Sequence, residues 1–514
     1  MSVGEQQIEA GAAAPIGWRG EHSLGAHAAG ARSFIAFLAI LCVIGAFRIA
    51  ALAFNGTELY MDEAQYWAWS RDLSFGYFSK PPLIAWLIYG TTSVCGDSEF
   101  CVRAPALALH LVTAVIVYAL AARLYSDEVA FWSGLGYALL PAVSLSSGII
   151  STDVPLLAAW ALALFAFAGV LSAPTLGNTA LLAVAIGIGL NAKYAMAYFI
   201  VCAAVYFVLA PERRQRLAHP ALWLALGGGL ILILPNIVWN FANGFATVNH
   251  TVENANWQGV SLHPGKALEF LLAQFGVFGP ILFGALLVIV WRAVRRPADL
   301  AASDKLLIAF SVPILVLVTT QGLISRAHAN WAAPAYVAAV ILVTAVMLRD
   351  GARNWMGASF AINGALALLI AVATWQAGRF SIPGIGDPFA RTLGIRALAD
   401  VVRQKLATAE RNGDPLRSVV TNERETAAVL AYYARDIGVP ILSLRSEGAP
   451  RSYFEMTRPF SPHGPYPVLF VTQRAPLSTP DGFVSSHETT QSVAAGRHAN
   501  RVVHTRIVNR VQSR

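Results

Sequence analysis

The chain has 514 residues, of which 56% are hydrophobic and only 13% charged. That balance excludes an ordinary soluble enzyme and a disordered chain, and it points to an integral membrane protein. The net charge of +8 then reflects membrane topology and headgroup contact rather than nucleic-acid binding.

In chain order, a Gly-, Ala- and His-rich stretch over 1–32 reads as a disordered cytoplasmic tail. The apolar run at 33–53 is too long for the core of a cleavable signal sequence and is read as a first membrane span. Further runs at 105–123, 129–148, 154–172, 178–192, 195–210, 220–238, 268–291, 305–324, 330–349 and 355–376 bring the total to about eleven. Asn191 and Lys193 interrupt the pattern near 178–210. With the N-terminus inside, Arg123, Arg213, Arg214, Arg216, Arg292, Arg295, Arg296, Lys305, Arg349 and Arg353 all fall on the cytoplasmic side. The opposite loops keep Arg71, Lys80, Arg103, Lys193, Lys266 and Arg326, which is the positive-inside asymmetry. An odd number of spans places everything after about 376 outside.

Two outer loops are long and aromatic, at 54–104 and 239–267. The region 377–514 is polar and reads as a small α/β domain, with strands at 418–421, 439–444 and 468–471 and an amphipathic helix at 423–437. Its end, after about 480, reads as loosely ordered. Cys42 and Cys202 lie in apolar segments as packing residues. Cys95 and Cys101 face the oxidising side and are either a disulfide or two separate thiols.

The scarce charges of the outer face gather in three places: Asp62-Glu63, Lys80 in Ser79-Lys80-Pro81-Pro82, and Asp153 with Lys193. Charges at membrane depth cost several kcal/mol unless paired or hydrated, so they mark a site by default. Each also has a plainer role. Asp62 is placed to cap a helix over 63–71, Asp153 to cap the span after it, and Lys80 to snorkel. Together they fit a reaction on a sugar carried by a polyprenyl phosphate. Lys80 or Lys193 would neutralise the departing phosphate, and Asp62 would take the proton of an acceptor hydroxyl. Were the acceptor a phosphate, Asp62 would orient rather than deprotonate. Tyr60, Tyr66 and Trp69 are candidates to stack on the sugar or line the lipid tail, and equally candidates for an interfacial aromatic belt. His250, Glu253 and His263 raise a divalent metal, although their spacing is not that of a ligand set.

The Asp-Glu pair after the first span, followed by Lys-Pro-Pro, resembles the GT-C superfamily of polyprenyl-phosphate-sugar glycosyltransferases. The likeness is to bacterial relatives of the protein O-mannosyltransferases, including the lipid A aminoarabinose and lipopolysaccharide galacturonic acid transferases. It extends over Ser151-Thr152-Asp153-Val154-Pro155, Pro235-Asn236-Ile237-Val238-Trp239-Asn240, Gly244-Phe245-Ala246-Thr247 and Ala327-His328-Ala329-Asn330-Trp331, covering roughly 33–350. The resemblance implies an α-helical polytopic membrane fold over 33–376, a catalytic outer loop at 54–104 and a periplasmic α/β domain over 377–514. It implies an inverting transfer of one sugar from a polyprenyl-phosphate donor to a lipid A, lipopolysaccharide or other envelope acceptor, at the periplasmic face of the inner membrane. By analogy Asp62 is the essential acid, Glu63 its support, Asp153 a second acid of the cavity, and Lys80 and Lys193 the phosphate-facing cations. His328 is a substrate-contacting residue, and some relatives hold a divalent ion. A lipid or solute transporter is the rival reading, but it calls for repeated halves that the chain does not show. A non-catalytic scaffold presenting 377–514 would leave the charge clusters without a purpose.

Overall fold

A computed structural model describes residues 24–255, 262–384, 386–474 and 483–510. The first helix, α1 (Leu24–Ala53), starts nearer the N-terminus than expected, taking the end of the stretch read as a tail. The outer loop then forms α2 (Met61–Ser70) and α3 (Leu83–Cys95) before α4 (Glu99–Leu124) returns through the bundle. The apolar run at 129–148 is a broken pair, α5 (Asp127–Ala138) and α6 (Pro141–Ser146), interrupted just before Pro141, which lacks the N–H a continuous helix would use. Next come α7 (Asp153–Ser172), α8 (Leu176–Ala192), α9 (Tyr198–Leu209), α10 (Pro220–Ala242) and, in the second outer loop, α11 (Ala246–Ala255).

The segment read as one span at 268–291 is instead α12 (Pro264–Phe278) and α13 (Pro280–Arg295), bent by 119° at Gly279. Gly279 has φ +96° and Pro280 opens the new helix, a combination that ends one helix and starts another. The bundle closes with α14 (Ala302–Ala309), α15 (Val312–Ile324), α16 (Ala335–Arg349) and α17 (Arg353–Trp375). Among the described residues six helices, or seven counting the bent pair as one, are long and apolar enough to cross a membrane. The shorter apolar helices α3, α8, α9 and α16 add to them.

Burial separates the inner helices from the outer ones. The apolar stretch of α7 is 89% buried, whereas those of α1, α10 and α17 are 28%, 28% and 17% buried. A helix apolar all round and enclosed is a core helix, and one apolar but open faces lipid. Small residues let helices approach in the bundle: a Cβ on Gly187 of α8 would lie 2.5 Å from Leu232 of α10.

The C-terminal region carries α18 (Ile395–Arg411), β1 (Ser418–Thr421), α19 (Arg424–Tyr433), β2 (Ile441–Ser443), α20 (Tyr453–Thr457), β3 (Val468–Thr472), β4 (Phe483–Ala494) and β5 (Asn500–Arg510). The sheet order is β2-β1-β3-β5-β4. β2, β1 and β3 are parallel, as the helical crossover α19 requires, while β5 and β4 add antiparallel. Residues 483–510 are therefore a paired ribbon rather than loosely ordered: β4 pairs with β5 from Phe483 to Ala494, with one register shift between Ser486 and Thr489. One continuous apolar cluster joins this domain to the first outer loop, with Leu59, Trp67, Trp69 and Tyr77 packed among Leu430, Tyr432 and Tyr453.

Candidate active site

Helix α2 begins after the extended Tyr60, so Asp62 and Glu63 are its second and third residues and neither is the cap. Carboxylates in a first turn are favoured by the helix dipole, but the two side chains part company. Glu63 is 1% exposed and forms a forked ion pair with Arg103 of α4, at 2.9 Å to Nε and 2.8 Å to Nη2. Its oxygens also accept the backbone N–H groups of Tyr60 at 2.9 Å and Ile150 at 3.0 Å. Arg103 in turn donates to the carbonyls of Thr57 at 3.0 Å and Glu58 at 2.9 Å. Glu63 thus ties α2, α4 and the turn before α7 together.

Asp62 is 41% exposed and meets a residue from the far end of the chain. Arg424, the first residue of α19, donates from Nη1 to Asp62 Oδ1 at 2.9 Å and to Gln65 Oε1 at 3.2 Å. A cation in the first turn of a helix opposes the dipole unless an acid answers it, and Asp62 answers it here. Burial lowers the Arg424 pKa, but Asp62 outweighs that and the net shift is upward.

The loop carrying Lys80 is held from two sides. Asn236 Nδ2 of α10 donates to the Phe75 carbonyl at 2.7 Å, and Thr247 Oγ1 of α11 donates to the Tyr77 carbonyl at 2.6 Å. The Tyr77 N–H closes the turn onto the Lys80 carbonyl at 3.1 Å. These contacts use the Pro235–Asn240 and Gly244–Thr247 stretches singled out in the sequence. Among the described residues no hydrogen bond or ion pair engages Lys80 Nζ. Burial and the neighbouring Lys193 push its pKa down, while Asp153 and Asp62 pull it up, for a net lowering.

Asp153 opens α7 and Lys193 ends α8, each at the helix terminus its charge favours. They pair at 2.6 Å, and Asn330 Nδ2 donates to the other Asp153 oxygen at 2.7 Å. His328 is exposed, with its ring 5.1 Å from that of Trp331. Burial, Arg326 and Lys193 lower its pKa.

The structure therefore brings Asp62, Lys80, Asp153 and Lys193 into one electrostatic neighbourhood and adds Arg424, which sequence reasoning missed. Glu63 is set apart by Arg103. Tyr60 is half-buried. Tyr66 and Trp69 are buried, their rings 5.1 Å apart. Trp69 is 0% exposed, stacked on Tyr77 at 4.7 Å and met by Tyr453 at 5.9 Å, so neither a sugar nor lipid reaches it. It is core rather than a sugar platform.

His250 lies 5.6 Å from the ring of Phe78, and burial with Lys80 nearby pushes its pKa down to about 4, leaving it neutral. His263 instead sits at the N-cap position before α12, its N–H bonded to the Leu323 carbonyl. Among the described residues no group of three or more His, Cys, Asp or Glu is arranged to hold a metal ion. Cys95 and Cys101 are joined by a disulfide. Between them Asp97 accepts the Trp67 indole N–H at 2.7 Å and pairs with Arg71 at 3.3 Å.

The family described as dolichyl-phosphate-mannose-protein mannosyltransferase matches residues 79–239. The chain is 34% identical to the lipid A galacturonosyltransferase RgtD of Rhizobium johnstonii over 439 residues, spanning 85% of this chain and 91% of that protein. It is 31% identical to the lipopolysaccharide core galacturonosyltransferase RgtA of the same organism over 245 residues, 46% and 48% of the two chains. Among solved structures, ArnT from Cupriavidus metallidurans bound to undecaprenyl phosphate shares the fold, with a TM-score of 0.64 at 15% identity over 93% of this chain and 98% of that one.

Proposed function

The chain belongs to the GT-C superfamily of polyprenyl-phosphate-sugar glycosyltransferases, and from that premise we propose that it moves a single galacturonosyl residue from a polyprenyl phosphate to lipid A or a related envelope glycolipid. The acceptor hydroxyl attacks the anomeric carbon from the face opposite the phosphate. A new C–O bond forms as the bond to the phosphate oxygen breaks, and the configuration inverts. Asp62 takes the hydroxyl proton: Arg424 occupies its Oδ1 and leaves Oδ2 for the acceptor. Lys80 neutralises the polyprenyl phosphate that leaves with the electron pair. Asp153 and Lys193, fastened to Asn330, shape the donor side, where His328 and Tyr60 contact substrate. Glu63 positions Asp62 through the Arg103 network rather than touching substrate.

The observation that carries this reading is the state of Lys80. Asp62 and Asp153 each have a cation of their own, while Lys80 stands beside both pairs with none. A half-buried, unneutralised ammonium at the outer end of the bundle suits a phosphate diester.

The topology follows the same logic. Ion pairs Arg353–Glu128, Lys305–Glu212, Arg292–Asp350 and Arg349–Asp304 gather the basic loops on one face, away from the acids and lysines of the site. We place that basic face in the cytoplasm of the inner membrane and the site with the C-terminal domain in the periplasm. The test is transfer in vitro. The purified full-length protein, given polyprenyl-phosphate galacturonic acid and lipid A, should add the mass of one hexuronic acid residue to the lipid. Release of the polyprenyl phosphate without a mass gain on any envelope lipid would overturn the reading.

A further inference from the structure

The geometry points to Arg424 as the residue that recognises the acidic group of the donor sugar, binding a uronate carboxylate on the edge of its guanidinium turned away from Asp62. The inference deepens the reading above and rests on its donor side.

Only one nitrogen of Arg424 is committed to oxygen acceptors. Nη1 serves Asp62 Oδ1 and Gln65 Oε1, and Nη2 meets only the thioether of Met61 at 3.8 Å. Nε has no partner among the described residues. The Nε–Nη2 edge is the one that takes a carboxylate in forked geometry, two parallel N–H···O bonds from one rigid plane. A sugar held there lies within one guanidinium of Asp62, so the group that identifies the donor and the group that receives the proton share a single anchor. The neighbouring acid does not compete for it, because Glu425 is engaged by Arg474 at 3.3 Å.

The charge balance agrees. The cations of this region, Lys80, Lys193, Arg424 and Arg326, outnumber its acids Asp62 and Asp153; Glu425 also acts on Arg424 but is itself paired with Arg474, and Arg326 spends its donors on the neutral Asn254. Two positive charges are left over. A neutral sugar on a phosphodiester brings one negative charge, and a uronate brings two. The site is matched to the doubly charged donor.

The deciding measurement is equilibrium binding to full-length protein in detergent. The two donors are polyprenyl-phosphate galacturonic acid and polyprenyl-phosphate galactose, which differ only in carboxylate against hydroxymethyl. Wild type should prefer the uronate, and Arg424→Gln should cut that preference roughly 10- to 100-fold, the range expected for a charge-assisted pair. Arg424→Lys keeps the charge but not the fork and should retain only part of it, which covers a Gln variant that fails to fold. An unchanged ratio of the two Kd values in a folded variant would overturn the inference, confining Arg424 to Asp62. A shifted ratio without transfer to any acceptor would leave the inference standing and remove the transferase reading instead.

Discussion

Replacing Glu63 with Gln separates a positioning acid from a reacting one. The Glu63 carboxylate accepts from Arg103 Nε and Nη2 and from two backbone N–H groups, all between 2.8 and 3.0 Å, with both side chains about 2% exposed or less. Gln keeps one oxygen and turns an amide N–H₂ toward the other donors, so roughly half of these bonds are lost and the Arg103 charge is left buried without a counterion. Breaking a buried ion pair from one side costs about 3–5 kcal/mol. The Thr57 and Glu58 carbonyls still hold Arg103, so we expect the lower half of that range, concentrated where residues 57–70 meet α4. Hydrogen exchange reads it directly: amides of α2 should exchange roughly 10²- to 10³-fold faster, since about 1.4 kcal/mol is a factor of ten. The double variant Glu63→Gln with Arg103→Met removes the stranded charge and should be less perturbed than the sum of the singles. A large loss of kcat with unchanged exchange in α2 would refute the positioning role and return Glu63 to the chemistry.

Substitutions at three other positions test the remaining roles. Asp62→Asn should lower kcat by roughly 10²–10⁴ while insertion and thermal unfolding stay near wild type, and full activity would end the general-base role. Lys80→Ala should weaken binding of polyprenyl phosphate itself, and unchanged Kd and turnover would remove it from the site. Because its pKa lies below the ordinary lysine value of 10.5, the cation is lost as pH rises through that lowered value. The upper limb of kcat/KM against pH should therefore fall short of 10.5 and move upward in Lys80→Arg, and an unmoved limb would assign it to another group. Asp153→Asn frees Lys193 and loosens the Asn330 segment, so KM for the donor should rise several-fold with less change in kcat. A wild-type KM would make that pair purely structural.

Much of the architecture was legible because a bilayer sets helix length, and every apolar run assigned as a span is a helix or a helix pair. The exceptions have local causes. At Gly279-Pro280 a run long enough for one span conceals a turn that only the Gly-Pro pair announces. The strands β4 and β5 are largely polar and carry no clean alternation, so they resemble an irregular tail until the partner strand is seen. In the site, Asp62, Lys80, Asp153 and Lys193 stood out because charge is rare at the rim of a membrane. Arg103 and Arg424 did not. The first is an ordinary outer-loop cation until Glu63, 40 positions away, closes on it. The second lies 362 positions from Asp62, and its one local sign was a cation at a helix start.

The aromatic first outer loop shows why composition alone does not place a ring. Trp67, Trp69 and Tyr66 have the makeup of an interfacial belt, and an isolated loop would lay them on headgroups. Here Tyr432 meets Trp67 edge-on at 5.0 Å, Tyr453 closes over Trp69, and Tyr433 takes the Leu59 N–H at 2.6 Å, so protein replaces lipid as the cover. Each buried ring removes on the order of 150–250 Å² from water, at about 25 cal/mol per Å², or roughly 4–6 kcal/mol as an upper bound. Several such rings hold the C-terminal domain on the loop far more firmly than the half-exposed Asp62–Arg424 pair does on its own. The ion pair therefore does not dock the domain. Packing docks it, and in doing so fixes where Arg424 stands relative to Asp62, so that the proposed anchor for the sugar and the proposed base for the acceptor are held together by the fold itself.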